Sequence, residues 1–142
     1  MKLFAFERRW FETLLDTLIP TGGDERFPLS ALDTDAMELF EEMLLYVPAT
    51  TGIGLRASIW MFELAGPLLG LKRPRRFSRL DAARREQCLA VLSKSDIYLV
   101  RQMVTLIKMM ACFGWGADPR VREALGVEKP AKFVTRSAEV KP

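Results

Sequence analysis

The side chains with chemistry to offer in this 142-residue chain are acids and arginines, because the sequence holds no histidine. That absence removes the commonest general base, the commonest metal ligand and every Ser-His or Cys-His arrangement. Glu38, Glu41 and Glu42 share a helical pattern with Phe40 and Met43 between them, which is the layout of a solvated face. Glu63 differs, since it stands in a mostly apolar stretch. If buried it needs a partner, and Arg56 at i−7, or an arginine from elsewhere, would make a structural ion pair. Cys88 and Cys112 form no CxxC pair and lie among apolar neighbours, so both are expected as small buried hydrophobes. Gly52-Ile53-Gly54-Leu55-Arg56-Ala57 formally fits the dinucleotide fingerprint G-x-G-x-x-G/A. That fingerprint needs a strand feeding a tight turn, whereas the pattern here is helical up to Pro48, so the glycines read as a loosened helix start. These residues assemble no catalytic constellation, and the chain is expected to be no enzyme by itself, with no catalytic, cofactor-binding or metal residue.

Charge is unevenly spread. Residues 1–71 carry five Lys/Arg against eleven Asp/Glu, and residues 72–142 carry sixteen against seven. The excess is densest at Lys72, Arg73, Arg75, Arg76, Arg79, Arg84 and Arg85, opposed only by Asp81. Such a stretch is a solvated connector, or it contacts phosphate, anionic lipid or an acidic protein surface. Nucleic acid would call for a recognition helix or stacking aromatics, and only Phe77 is interleaved, so no nucleic acid is expected.

The elements that must position these groups are helical. Between Ile97 and Phe113 the polar residues Tyr98, Arg101, Gln102, Thr105 and Lys108 fall on one stripe about 120° wide, and the rest of the circumference is apolar. A helix of that kind must be surrounded on several sides. Gly114-Trp115-Gly116 is expected to break it, with Asp118-Pro119 as N-cap and first residue of a short helix that stops at Gly126. Leu3, Phe6, Trp10, Phe11, Leu14, Leu15 and Leu18 predict a first, aromatic-faced helix ending before Pro20, followed by a turn at Thr21-Gly22-Gly23-Asp24. Asp35 with Glu38 resembles a capping box for a second helix closed by Pro48. A third, largely buried helix covers about 52–70 with a kink or end at Gly66-Pro67, and Asp81 caps a fourth. Ser95 or Asp96 caps the central fifth helix, about 96–113. The expected fold class is all-α: a single domain, 1–127, of about six helices, two of them largely buried and wrapped by amphipathic ones. The charged remainder, 128–142, is expected as an extended or mobile tail.

Leu18-Ile19-Pro20-Thr21-Gly22-Gly23, Arg75-Arg76-Phe77-Ser78-Arg79-Leu80 with Arg85 behind it, Ala111-Cys112-Phe113-Gly114, Asp118-Pro119-Arg120-Val121 and Ala124-Leu125-Gly126 together resemble the gluconate 2-dehydrogenase subunit 3 family, in the same order. Members of that family are small accessory subunits of flavin-dependent oxidoreductases of the glucose-methanol-choline (GMC) class. The large partner carries the FAD and oxidises an alcohol or sugar, sometimes with a cytochrome subunit. The resemblance implies a non-catalytic subunit that binds and stabilises such a partner, with Arg75, Arg76, Phe77, Trp115 and Asp118 near the partner or holding the turns that face it. Many members carry a twin-arginine signal peptide where this chain shows none, and many have an aromatic pair before the Asp-Pro turn where this chain has Phe113-Gly114-Trp115.

Two other readings stand beside this one. A stand-alone helical protein could enclose an apolar small molecule among its methionines and tryptophans, or residues 72–85 could serve as a basic adaptor for nucleic acid or an anionic membrane. No secretory signal and no transmembrane segment are visible, so a cytoplasmic location is expected, with export alongside a partner left open.

Overall fold

The periodicities of the sequence become six helical rods among the described residues. The structure, a computed structural model, describes residues 1–22, 25–26 and 29–127. The tail expected over 128–142 lies outside them, as do Gly23 and Asp24 of the expected turn. Helix α1 spans Ala5–Leu18 and α2 Ala36–Tyr46. Helix α3 runs unbroken over residues 49–71, and α4 covers Ala82–Ser93. Helix α5 is Tyr98–Ala117 and α6 Pro119–Ala124. Every regular element among the described residues is helical, so the fold is all-α.

Helix α5 is central, touching each of the other helices. It packs with a stripe made of Val100, Val104, Ile107, Ala111 and Gly114, while Tyr98, Leu99, Met109 and Phe113 lie exposed. The expectation that it is surrounded on several sides is therefore corrected: about one stripe is covered, and the surplus apolar residues face outward. Phe11 and Phe40 stack in the core at a centroid distance of 4.1 Å, an arrangement worth about 0.5–1.5 kcal/mol beyond the area it buries.

Helix α3 is not stopped by Gly66-Pro67. Its disturbance comes one turn earlier, in a π-helical turn over Met61–Ala65, after which Pro67 sits in the first turn of the Gly66–Leu71 segment, where a missing donor costs little. The extra residue of a π turn widens the helix locally and re-aims the side chains beyond it. Near its end α3 lies close to α4: a methyl group on Gly70 would meet Cys88 Sγ at 3.1 Å.

Several caps are as expected. The Asp81 side chain accepts from Arg84 N–H, Asp118 accepts from Arg120 N–H, and Gly126 takes a left-handed φ of +66°. Three expectations fail. Helix α5 opens at Ile97 with no side-chain cap, so neither Ser95 nor Asp96 caps it. Asp35 makes no side-chain cap; the reciprocal pair lies one turn earlier, where Ser30 Oγ accepts from Asp33 N–H and Asp33 Oδ2 accepts from Ser30 N–H. Gly114-Trp115-Gly116 stays helical, because Gly114 is there for closeness to a neighbour. A Cβ at Gly114 would stand 2.8 Å from Ala36 Cα.

Candidate functional site

Two surface features and one internal corner gather the residues singled out by sequence. The first feature lies where α1 crosses α3. Phe6 stacks on Phe4 at 5.6 Å and meets Trp10 and Trp60 edge-on at 4.9 and 5.7 Å, and Trp10 and Trp60 meet at 5.1 Å. Beneath these rings Glu7, 1% exposed, accepts from Arg56 Nε at 2.7 Å, Arg56 Nη2 at 2.7 Å, Trp60 Nε1 at 2.7 Å and Phe4 N–H at 2.8 Å. Burial alone would push the Glu7 carboxyl up, but the Arg56, Phe4 and Trp60 hydrogen bonds and the guanidinium charge outweigh it and hold it below its ordinary value. The Arg56 guanidinium also lies 4.8 Å over the Phe4 ring.

With Glu7 and Arg56 neutralising each other, this surface is apolar. Phe4 is 59% exposed, Phe6 43% and Trp60 37%. Along α3 the same outward stripe continues through Ile53, Ala57, Trp60, Leu64 and Leu68, at three- and four-residue steps. The inward side holds Leu55, Ile59 and Phe62. An exposed apolar run of this length on one helix is the mark of an interaction surface.

The second feature is the turn between α3 and α4. Lys72 ends α3 in a left-handed conformation at φ 52°, and a short 3₁₀ turn over Phe77–Arg79 leads to α4. Phe77 is 1% exposed and Leu80 6%, so the turn is nailed into the core at both ends. Between them Ser78 donates from its N–H to Glu63 Oε2 at 3.0 Å and from its Oγ to Glu63 Oε1 at 2.6 Å. Glu63 thus finds its partner in a serine, not in Arg56 or another arginine. The π turn of α3 carries this carboxylate, itself 2% exposed. Pro74, Arg75, Arg76 and Arg79 line an open cleft of about 610 Å³. The guanidinium groups of Arg73, Arg75, Arg76 and Arg79 make no hydrogen bond or ion pair with any described residue. On the first turn of α4, Arg85 keeps its Nε buried with no hydrogen-bond partner among the described residues. Asp81 is occupied by its cap and by Arg84 at 3.4 Å.

The internal corner joins α5 to α6. Trp115 Nε1 donates to Leu29 O at 3.1 Å, and Arg120 Nη2 donates to both Asp118 Oδ2 at 2.8 Å and Asp33 O at 2.7 Å. The Arg120 guanidinium beside it holds the Asp118 carboxyl below its usual range. Of the residues expected at a partner contact, Trp115 and Asp118 therefore tie this corner to the segment 29–35, Phe77 anchors the basic turn from inside, and Arg75 and Arg76 face the cleft. Cys88 is buried as expected, and burial pushes its thiol up to about 11. Cys112 is exposed, contrary to expectation, on the uncovered side of α5 beside Phe113.

No protein-family model, curated protein or solved structure matches the chain. Among the described residues no group of three or more His, Cys, Asp or Glu could hold a metal ion, and no helix is long and apolar enough to cross a membrane. The sequence blocks that carry the family resemblance mark turns and close packing. Ala31 N–H reaches Ile19 O at 3.1 Å, Gly114 abuts Ala36, and Arg120 reaches Asp33, so the blocks at 18–22 and 111–121 converge on the segment 29–36. The aromatic surface around Trp60 was missed by sequence reasoning. Phe6 and Trp10 were visible as one face of α1, but nothing local signals that Glu7 reaches Arg56 and Trp60, about fifty positions away.

Proposed function

We propose that this chain is a non-catalytic helical subunit that docks on, and stabilises, a larger FAD-dependent oxidoreductase of the GMC class acting on an alcohol or sugar. The observation that carries the reading is the uncovered apolar stripe of α3, running from Ile53 to Leu68 beside the rings of Phe4, Phe6 and Trp60. It has the composition of an interface core, rich in aromatic and aliphatic side chains. The choice of partner comes from the ordered sequence blocks that resemble the gluconate 2-dehydrogenase subunit 3 family, and a flavin and any cytochrome belong to that partner. In this reading the small subunit contributes surface, not acid-base or redox groups.

Co-expression with a GMC-class flavoprotein from the same genome, followed by size-exclusion chromatography, tests the proposal. The two chains are expected to elute together, and Leu64→Asp with Leu68→Asp to separate them without unfolding the small chain. A stable lone monomer, with the flavoprotein fully loaded and active in its absence, overturns it.

A further inference from the structure

We propose that the turn between α3 and α4 is a preorganised receptor for an acidic protein segment, in which Arg75, Arg76 and Arg79 grip Asp or Glu side chains and Glu63 with Ser78 holds them in place. The cations are free to do so, because none of the three is engaged by a described residue and the nearby Asp81 is already taken by Arg84. Free guanidinium groups on one turn match carboxylates in planar, paired geometry. The turn beneath them is rigid. Phe77 and Leu80 are sunk in the core, and both oxygens of the buried Glu63 carboxylate accept from Ser78. A turn held in this way loses less backbone freedom on binding than a floppy basic connector would.

Charge complementarity alone would also admit nucleic acid, and the geometry argues against it. The one aromatic of the stretch, Phe77, is 1% exposed and offers no ring for a base to stack on. Arg75, Arg76 and Arg79 instead gather round one cleft of about 610 Å³. Along the chain, the cleft residues begin at Pro74, three positions after α3 ends at Leu71, and exposed Leu68 and Leu69 lie on its last turn. A partner that covers the stripe and ends in acids would meet both features in a single register. The inference rests on the docking reading only for the identity of the protein that supplies those acids.

The full chain is titrated with a fluorescent oligoglutamate peptide across a salt series, with duplex DNA and phosphatidylglycerol vesicles as competing probes. Saturable binding to oligoglutamate that weakens with salt is expected, and Arg75→Ala and Arg79→Ala should each lower affinity about threefold or more. Arg122→Ala, outside the cleft, should leave it unchanged. Ser78→Ala and Glu63→Gln should weaken binding while the circular dichroism spectrum keeps its helical shape, and Ser78→Ala does so with no change of charge. No binding at low salt, an equal loss in Arg122→Ala, unaltered affinity in both latch variants, or tighter binding of DNA or vesicles than of oligoglutamate would each overturn the proposal. A chain that takes oligoglutamate yet ignores the flavoprotein would retire the docking reading and leave this site standing; the converse would retire the site alone.

Discussion

Gly114 and Gly116 lie two residues apart at the end of α5, and the structure assigns opposite outcomes to the same substitution. A Cβ on Gly114 would stand 2.8 Å from Ala36 Cα, 2.8 Å from its Cβ and 3.1 Å from its carbonyl oxygen, whereas one on Gly116 would meet nothing within 4 Å. Both variants gain up to about 1 kcal/mol from replacing glycine inside a helix. Comfortable carbon contacts lie at about 3.5–4.0 Å, so Gly114→Ala forces α5 and α2 apart by roughly 1 Å. The obstructing atoms are backbone and a methyl group that cannot rotate away, so the overpacking cost falls in the upper part of the usual range, about 2–3 kcal/mol. Gly114→Ala should therefore lose about 1–2 kcal/mol net, with a melting temperature roughly 3–8 °C lower. Gly116→Ala should match or exceed the parent. Thermal and urea unfolding of the two variants is the assay. If Gly114→Ala proves at least as stable as Gly116→Ala, the close approach of α5 to Ala36 is not there.

The polar and anchoring contacts carry further expectations. Glu7→Gln removes a nearly buried charge from a partly exposed Arg56 and should cost about 2–4 kcal/mol in urea unfolding. Because the folded Glu7 carboxyl titrates below its ordinary 4.5, its contribution is complete above that pH and is lost as pH falls toward the folded value; Glu7→Gln should flatten this acid limb. Phe77→Ala, which empties a position 1% exposed, should cost about 3–5 kcal/mol and release the basic turn to limited proteolysis. A maleimide at mildly alkaline pH should label Cys112 alone in the folded chain and both cysteines after denaturation, since Cys88 is buried with its thiol pushed up to about 11.

What was legible in the sequence was the local order. Apolar spacing located the rods, and Asp81, Asp118-Pro119 and Gly126 marked ends because capping uses neighbours within a few residues. What was not legible depends on distant pairings. Glu63 pairs with Ser78, fifteen positions on, and no periodicity distinguishes that serine from a nearby arginine. Gly114-Trp115-Gly116 looks like a breaker to any local rule, and only the presence of Ala36 opposite explains the first glycine. The site divided the same way. Arg75 and Arg76 could be singled out by charge density, while the aromatic surface of Phe4, Phe6 and Trp60 emerges only once two helices cross.

The wide turn at Met61–Ala65 gives the two ends of α3 separate rotational phases. The first half is set so that Trp60 meets α1, and the second so that Gly66 and Gly70 nestle against Leu92 and Cys88 on α4. A regular helix of the same sequence, without that wide turn, would turn everything beyond it by about 100°. It would carry Gly66 and Gly70 off the contacts they make with Leu92 and Cys88. One rod thus serves two neighbours whose demands no uniform screw could meet together, and its length is as constrained as its composition.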